Sequence, residues 1–353
     1  MGFMHKALLY EALPDGKVRC TACKQACTIG PGHTGICGVR MNKDGTLYLL
    51  VYGKASAVNI DPVEKKPLFH FLPGTEIFSL GTAGCNFACS FCQNWDISQV
   101  SKEIKKNILQ KKRPDLMEVE ITSLGYELPP EKIVELCAAK GIPSIAYTYN
   151  EPVIFFEYLY DTAKLAKKHG IKNVMVSNGY ESDIALDHLK GYVDAMNIDL
   201  KAYTDDFYRK LCHGKLEPVL DTIRHAKKLG IWVEITTLVI PGQNDRDLQQ
   251  IAAFIASVDP EMPWHITAFH PDYAMTDTPM TPHTLLIEGY DLGKKAGLKH
   301  VYLGNVQDEE RSSTYCPQCS AMLIRRSGYH IDIQKCVEGK CTQCGHQLPG
   351  IWN

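Results

Sequence analysis

From residue 75 to residue 306, short apolar runs rich in β-branched and aromatic residues alternate with longer segments of helical periodicity. The runs EIFSL, SIAYTY, NVMVSN, AMNIDL, WVEITTLVI, HITAF and HVYLG read as strands. Between them, residues 131–140, 153–169, 217–229 and 246–258 carry an amphipathic helical pattern. Gly141, Gly170 and Gly230 follow helices, where a C-terminal cap is expected. This alternation belongs to a parallel sheet wrapped by helices. It predicts an α/β fold, a partial TIM-type (β/α)6 barrel over residues 67–311. A doubly wound sheet alternates in the same way, but no GxGxxG follows the first strand.

In a barrel the chemistry collects at the C-terminal strand ends, where the loops converge over one mouth. The chain there reads GTAGC, YTYNEP, SNGY, DLKAY, IPGQND and FHPDY, all rich in polar side chains and glycine. Residues 101–130 interrupt the rhythm with a basic stretch at 102–113, which predicts an insertion or lid whose charges face solvent. Two flanks carry closely spaced cysteines: an N-terminal Cys-rich module at residues 1–66 and a C-terminal zinc-ribbon-like module at 312–353.

With 353 residues, 45% of them hydrophobic, the chain can bury a full core. A formal net charge of -2 supplies no basic field of the kind that draws proteins to nucleic acid or anionic membranes. The first residues lack the hydrophobic core of a secretory signal, and no run reaches the about 18 apolar residues of a membrane span. A soluble, cytoplasmic protein is expected. Of its 14 cysteines, 12 fall into groups at 20–37, 85–92 and 316–344. Clustered thiols without an export signal point to metal rather than to disulfides.

The loop after the first strand is Cys85-Asn-Phe-Ala-Cys89-Ser-Phe-Cys92, a CxxxCxxC motif. Three thiolates on one short loop can hold three irons of a cubane cluster and leave the fourth open to a cosubstrate. Zinc normally takes four ligands at paired CxxC spacing. This spacing, placed after the first strand of a βα series, resembles the radical S-adenosylmethionine (SAM) superfamily. The resemblance implies a 4Fe–4S cluster on Cys85, Cys89 and Cys92, whose open iron binds the amino and carboxylate groups of SAM. Reductive cleavage of the S–C5′ bond would then give a 5′-deoxyadenosyl radical that abstracts hydrogen from a substrate. An electron donor such as flavodoxin or ferredoxin is implied as well.

Similarity to positions in the glycyl-radical-enzyme activases, such as pyruvate formate-lyase activating enzyme, nominates the cosubstrate residues. Phe91 would lie against the adenine, and Glu151 of Tyr-Asn-Glu-Pro would meet the methionine ammonium. Ser177, Asn178 and Gly179 match a Thr-Asn-Gly element, although Val176 stands where an Asp is expected. Asp199 and Lys201 match a DxK element that binds ribose hydroxyls and carboxylate. Residues 240–245 resemble a Pro-Gly-x-Asn-Asp turn near the adenine. His265 and His270 share one strand end at odd spacing, which sends them to opposite faces. His270, nearer the mouth, is the candidate. No catalytic residue is assigned.

At the C-terminus, Cys316 and Cys319 pair with Cys341 and Cys344 across 21 residues. Two such knuckles are expected to hold a structural zinc, with a rubredoxin-like iron as the competing occupant. Cys336 is a spare thiol. Arg325, Arg326, Lys335 and Lys340 are too few to support nucleic-acid binding. At the N-terminus, Cys20, Cys23, Cys27 and Cys37 suit zinc or an auxiliary iron–sulfur cluster.

The Cys-Gly-Val-Arg element ending at Arg40, the stretch from Asp61 through His70, the Cys-Ser-Phe-Cys-Gln-Asn-Trp loop, Tyr-Asn-Glu-Pro and the terminal Leu-Pro-Gly-Ile-Trp together resemble the AmmeMemoRadiSam-system radical enzyme. That resemblance covers nearly the whole chain and implies AMMECR1-like or Memo-like partners, but no reaction. Three functions therefore compete. The first is a radical SAM enzyme, in its best-defined version a glycyl-radical activase acting on a partner protein. The second is a zinc-ribbon protein- or nucleic-acid-binding module on a degenerate barrel. The third is a radical methyltransferase using Cys137 or Cys212, neither of which sits in a supporting motif.

Overall fold

The computed structural model describes residues 4–353. Its centre is one eight-stranded sheet whose strands lie in chain order: β1 (Ala57–Pro62), β2 (Glu76–Gly81), β3 (Ser144–Tyr147), β4 (Lys172–Ser177), β5 (Ala195–Asp199), β6 (Trp232–Val239), β7 (Trp264–Ala268) and β8 (Val301–Gly304). Each predicted run forms one of the strands β2 to β8, and these pair in parallel. β3 and β7 are buried along their whole length, as strands covered on both faces must be.

The longer helices are α1 (Val100–Gln110), α2 (Pro130–Lys140), α3 (Phe156–Lys168), α4 (Asp183–Leu189), α5 (Glu217–Lys228), α6 (Leu248–Val258) and α7 (His283–Lys295). α2 to α7 follow β2 to β7 in turn, giving six βα units and a terminal parallel strand. α5 shows how the pattern becomes packing. Val219, Leu220, Ile223 and Ala226 recur at helical spacing and are buried. Arg224 faces outward and pairs with Glu217 and Asp221. α3 starts later than the sequence pattern suggested, because Pro152–Phe155 forms a 3-10 turn capped by Glu151, which accepts from Val153 N at 3.1 Å.

β1 falls inside the segment assigned to the N-terminal module, yet it pairs antiparallel with β2 along its full length. No crossover helix separates the two strands, so an antiparallel return is the accessible pairing. The cysteine-bearing part of the N-terminal region is two small antiparallel sheets built from strands between His5 and Leu49. Most charges of the insertion face solvent as expected, Glu103, Lys106, Lys111, Lys112 and Arg113 among them, but its first helix is packed on the N-terminal region. Ser101 on α1 donates to Cys37 O at 2.8 Å, and Lys105 Nζ donates to Thr34 O and Gly35 O, both at 2.9 Å. These bonds bolt α1 to the N-terminal sheets.

The C-terminal module is a three-stranded sheet (Thr314–Tyr315, Met322–Ser327, His330–Ile333) followed by the hairpin Cys336–Val337 with Lys340–Cys341. The chain end then returns to the barrel, where Ile351 bridges Phe71 and donates its N–H to His70 O at 2.8 Å. Among the described residues, no helix is long and apolar enough to cross a membrane.

Candidate active site

The CxxxCxxC loop leaves the C-terminal end of β2 through Gly84, whose φ of +96° disfavours any side chain. A Cβ there would also sit 2.7 Å from Cys37 O and 2.8 Å from Ser101 Oγ. Glycine at this position lets the N-terminal module press directly on the cysteine loop. Asn150, beyond β3, holds the same turn: it donates to Gly84 O at 2.7 Å and accepts from Thr82 N at 3.1 Å. On the other side, Ala88 N and Ser90 N donate to Cys212 O at 3.0 Å and Leu211 O at 2.9 Å in the π-helical turn Tyr208–Cys212.

Cys85, Cys89 and Cys92 thereby line one cavity of about 320 Å³ at the strand ends. Six of the eight residues expected to contact the cosubstrate share its wall: Phe91, Glu151, Ser177, Asn178, Asp199 and Lys201. Gly179 is behind the wall, wedged against Val219 and Ile198 with φ of +74°. His270 is exposed, its Nδ1 3.3 Å from Pro271 O, and lies outside the lining. β7 ends at Ala268, so the alternation invoked for His270 does not extend to it. His265 faces inward instead, bonded through Nε2 to Glu234 at 2.7 Å.

The cavity's electrostatics suit a cationic cluster and a polar cosubstrate. Burial pushes the Cys85 thiol up to about 12 and raises Cys92; Cys89 rises well above the ordinary thiol value through its bond to Cys212 and through burial. Thiolates here need a cation to replace their protons, as irons do. Asn178 donates to Asn86 Oδ1 at 2.7 Å, which leaves Asn178 Oδ1 and Asn86 Nδ2 buried without partners, and Asn178 lines the cavity. Lys201 pairs with Asp199 at 2.7 Å and lies 5.7 Å from the centre of the Phe91 ring. Burial lowers its pKa, but Asp199 and the thiols of Cys89 and Cys212 outweigh this and hold it charged.

Besides Asn150, two residues near this cavity escaped sequence reasoning. Lys102, assigned to a solvated basic stretch, donates to Phe87 O and to Gln99 Oε1 (3.0 Å), and its charge lowers the pKa values of Cys85 and Cys89. Glu181 shares Ser177 Oγ with Glu151, whose oxygens lie 3.1 and 3.2 Å from that hydroxyl. Burial raises both carboxyls, and the charge of Glu181 raises Glu151 further. The only sequence signal for Glu181 was its place four residues beyond Ser177 in a polar strand-end loop.

The two flanking cysteine sets differ. Sγ of Cys316 lies 3.5 Å from Cys344 Sγ, and Cys319 Sγ lies 3.8 Å from Cys341 Sγ. One tetrahedral ion with bonds of about 2.3 Å puts sulfurs about 3.8 Å apart. Among the described residues, this is the one group of three or more such ligands packed within 4.8 Å. Burial pushes Cys341 up, but N–H groups of Cys344 and Gln343 and neighbouring thiols bring it down to about 7. At the N-terminus, Cys20 and Cys37 are buried and Cys23 and Cys27 half-buried. The four are near enough to feel one another's charge.

A barrel of six βα units with three cysteines on the loop after its first parallel strand defines a class. The sequence matches the Radical SAM superfamily over residues 79–255, and the chain belongs to it, an enzyme of that class. Membership implies a 4Fe–4S cluster and SAM. Within the class, the chain is 45% identical over 351 residues to MJ0808 of Methanocaldococcus jannaschii, described as an uncharacterized protein, covering 98% of this chain and 99% of that one. It is 32% identical over 196 residues to MJ1632 of the same organism, named a putative glycyl-radical enzyme activating enzyme, covering 54% of this chain and 66% of that one. Among solved structures, a domain of pyruvate-formate lyase-activating enzyme from Bacteroides vulgatus aligns with a TM-score of 0.41 and 20% identity, over 45% of this chain and 98% of that one.

Proposed function

We propose that Cys85, Cys89 and Cys92 hold the 4Fe–4S cluster, and that the chain uses it with SAM to abstract hydrogen from a substrate at the barrel mouth. The observation that carries this reading is the single cavity lined by the three thiols together with Phe91, Glu151, Ser177, Asn178, Asp199 and Lys201. Bound together, cluster and cosubstrate supply one-electron cleavage of the S–C5′ bond, which yields methionine and a 5′-deoxyadenosyl radical.

The chain's own residues position and shield. Asn178 offers an unpartnered carbonyl oxygen to the cosubstrate, and Glu151 and Ser177 brace its loop. The Lys201–Asp199 pair presents both charges beside Phe91, suited to carboxylate and ribose hydroxyls. Lys102 offsets negative charge on the cysteine loop. Anaerobic protein reconstituted with iron and sulfide and reduced with dithionite should convert SAM to 5′-deoxyadenosine. Full iron loading without cleavage would refute the reading.

The relation to MJ1632 favours one specific version, activation of a partner protein by hydrogen abstraction from its backbone. In that version the partner acquires an organic radical visible by electron paramagnetic resonance. The whole-chain motif set supports assignment to the AmmeMemoRadiSam group, with AMMECR1-like or Memo-like proteins as candidate partners and a flavodoxin or ferredoxin as electron donor. We assign zinc to Cys316, Cys319, Cys341 and Cys344 on the sulfur spacing, and zinc or an auxiliary cluster to Cys20, Cys23, Cys27 and Cys37.

A further inference from the structure

The N-terminal and central cysteine loops meet backbone to backbone. Gly38, directly after Cys37, has φ of +80°, and a Cβ on it would lie 2.8 Å from the Cβ of Ser101. Across Ser101 stands Gly84, directly before Cys85, where an added Cβ would lie 2.7 Å from Cys37 O. Ser101 closes the joint through its bond to Cys37 O at 2.8 Å. Two glycines at one contact bring the Cα atoms of Cys37 and Cys85 within about 10 Å of each other.

A second contact runs from the Cys23 side. Gln25 Nε2 donates to the carbonyl of Asn86, the residue after Cys85, at 3.1 Å. The backbone beside Gln25 is zipped to the loop after β4, where Lys24 N donates to Tyr180 O at 2.9 Å and Ser182 N to Ala22 O at 3.1 Å. The N-terminal cysteines therefore abut the Cys85 loop at two points, and none of them lines the cavity.

Their sulfurs are arranged as ligands. Main-chain N–H groups of Ala22, Gln25, Ile36 and Val39 bond the sulfurs of Cys20, Cys23, Cys27 and Cys37, the Ile36 bond at 3.5 Å. Such donors stabilise metal-bound thiolates. The spacing selects the metal. Zinc draws four sulfurs to about 3.8 Å of one another, whereas a cubane binds each sulfur at a separate corner and holds them about 6 Å apart. Among the described residues, only the C-terminal set packs three or more such ligand atoms within 4.8 Å. The N-terminal set, like Cys85, Cys89 and Cys92, is wider than that, while its members still feel one another's charge.

We propose that Cys20, Cys23, Cys27 and Cys37 hold a second 4Fe–4S cluster that passes electrons to the central one. The inference rests on the reading that Cys85, Cys89 and Cys92 hold the first. An external donor reduces the N-terminal cluster by one electron; the same electron then moves to the central loop and leaves the N-terminal cluster oxidised again, with no bond made or broken and no proton moved. The position suits the task. Ile36, beside Cys37, is 43% exposed, so the site reaches the surface, whereas the central thiols open on the cavity that cosubstrate and substrate share. Electrons enter from the outer side while the mouth is occupied. Electron tunnelling falls off exponentially with distance, which gives the two-glycine joint a function that packing alone does not require.

Full-length protein, purified and reconstituted anaerobically, tests this by metal, sulfide and spin. The native chain should hold about eight irons, about eight sulfides and about one zinc, and its two reduced clusters should broaden each other's electron paramagnetic resonance signal. Cys23→Ala should lose about four irons and keep a signal that SAM shifts. Photoreduced flavodoxin should leave the central cluster of that variant oxidised over the time in which it reduces the native one, although dithionite, small enough to enter the cavity, still reduces it. Cys89→Ala should keep about four irons, with an unbroadened signal that SAM leaves unchanged.

A native chain with about four irons and about two zincs, unchanged iron in Cys23→Ala, or undiminished reduction by flavodoxin once that iron is lost would overturn the inference. If Cys23→Ala fails to fold, the native metal count and the mutual broadening decide. The two readings fail separately. Iron retained in Cys89→Ala, with no SAM cleavage by the native chain, would sink the catalytic reading alone. SAM cleavage by a native chain whose irons all vanish in Cys89→Ala would sink only this one.

Discussion

Asn150 Nδ2 donates to the carbonyl of Gly84 at 2.7 Å, so a side chain from the loop after β3 fixes the turn that presents Cys85. Its Oδ1 also accepts from Thr82 N at 3.1 Å. Truncation in Asn150→Ala leaves a buried acceptor and a buried donor unpaired, at a cost of about 1–3 kcal/mol each. We expect the variant to fold with a lowered Tm and to hold less iron after reconstitution than the native chain. Equal iron content and an unaltered cluster spectrum would show that Asn150 does not position the loop.

The fate of Asn150 shows what was legible. The strands were readable because apolar runs of β length leave few alternatives, and the cysteine loop because its spacing is itself chemical. Tyr-Asn-Glu-Pro was noticed for Glu151, yet Asn150 reaches the turn before Cys85, a contact that sequence distance conceals. Lys102 sat in a stretch that looks solvated and turns inward because α1 packs on the N-terminal sheets. Arg326 stands in the sequence only as one of four basic residues too few to support nucleic-acid binding, and the fold buries it against Phe69, 257 residues away. Periodicity reports which face of an element is buried. It does not report which distant element covers that face.

Stability should depend on pH through His70. Its Nδ1 lies 2.8 Å from Pro349 O and its Nε2 2.8 Å from Tyr302 OH. A carbonyl only accepts, so Nδ1 carries the hydrogen. Burial and the neighbouring His300 hold its pKa well below 6.5. The unfolded chain takes up a proton near that value and the folded one does not, so stability is complete above it and declines as pH falls. The slope reaches about 1.4 kcal/mol per pH unit for one proton. Glu234 works in the same direction at lower pH: His265, through its hydrogen bond and charge, outweighs burial and holds it near 2 against 4.5, so its contribution fades as pH falls between these values. Chemical denaturation between pH 8 and 5 should show the decline, and His70→Gln should flatten it. An equally steep slope in the variant would assign the proton to another group.

The cysteine sets should separate by metal analysis. Cys341→Ser removes one corner of a group whose sulfurs stand at single-ion spacing. We expect it to lose one zinc per chain while iron on the central loop remains. Cys89→Ala should do the opposite. Loss of iron from both variants would mean that the C-terminal set holds iron.

Arg40 and Glu157 form a bidentate pair at 2.7 and 2.9 Å, 2% and 0% exposed, that joins the N-terminal sheets to α3. Burial raises the Glu157 pKa, but Arg40 more than compensates and holds the carboxylate ionised. Glu157 also accepts from Leu8 N at 2.9 Å, so two N-terminal segments converge on one carboxylate. Removing only the cation strands a buried charge, which typically costs about 3–5 kcal/mol. Replacing both ions with apolar groups of similar volume removes the desolvation penalty together with the attraction. Arg40→Met should therefore lower stability by about that amount, and Arg40→Met with Glu157→Leu should recover most of it, short of the bond to Leu8. Denaturation of the two single variants and the double variant gives the coupling. Additive losses would show that the pair does not act as a unit and that the N-terminal sheets are held to the barrel by their apolar contacts instead.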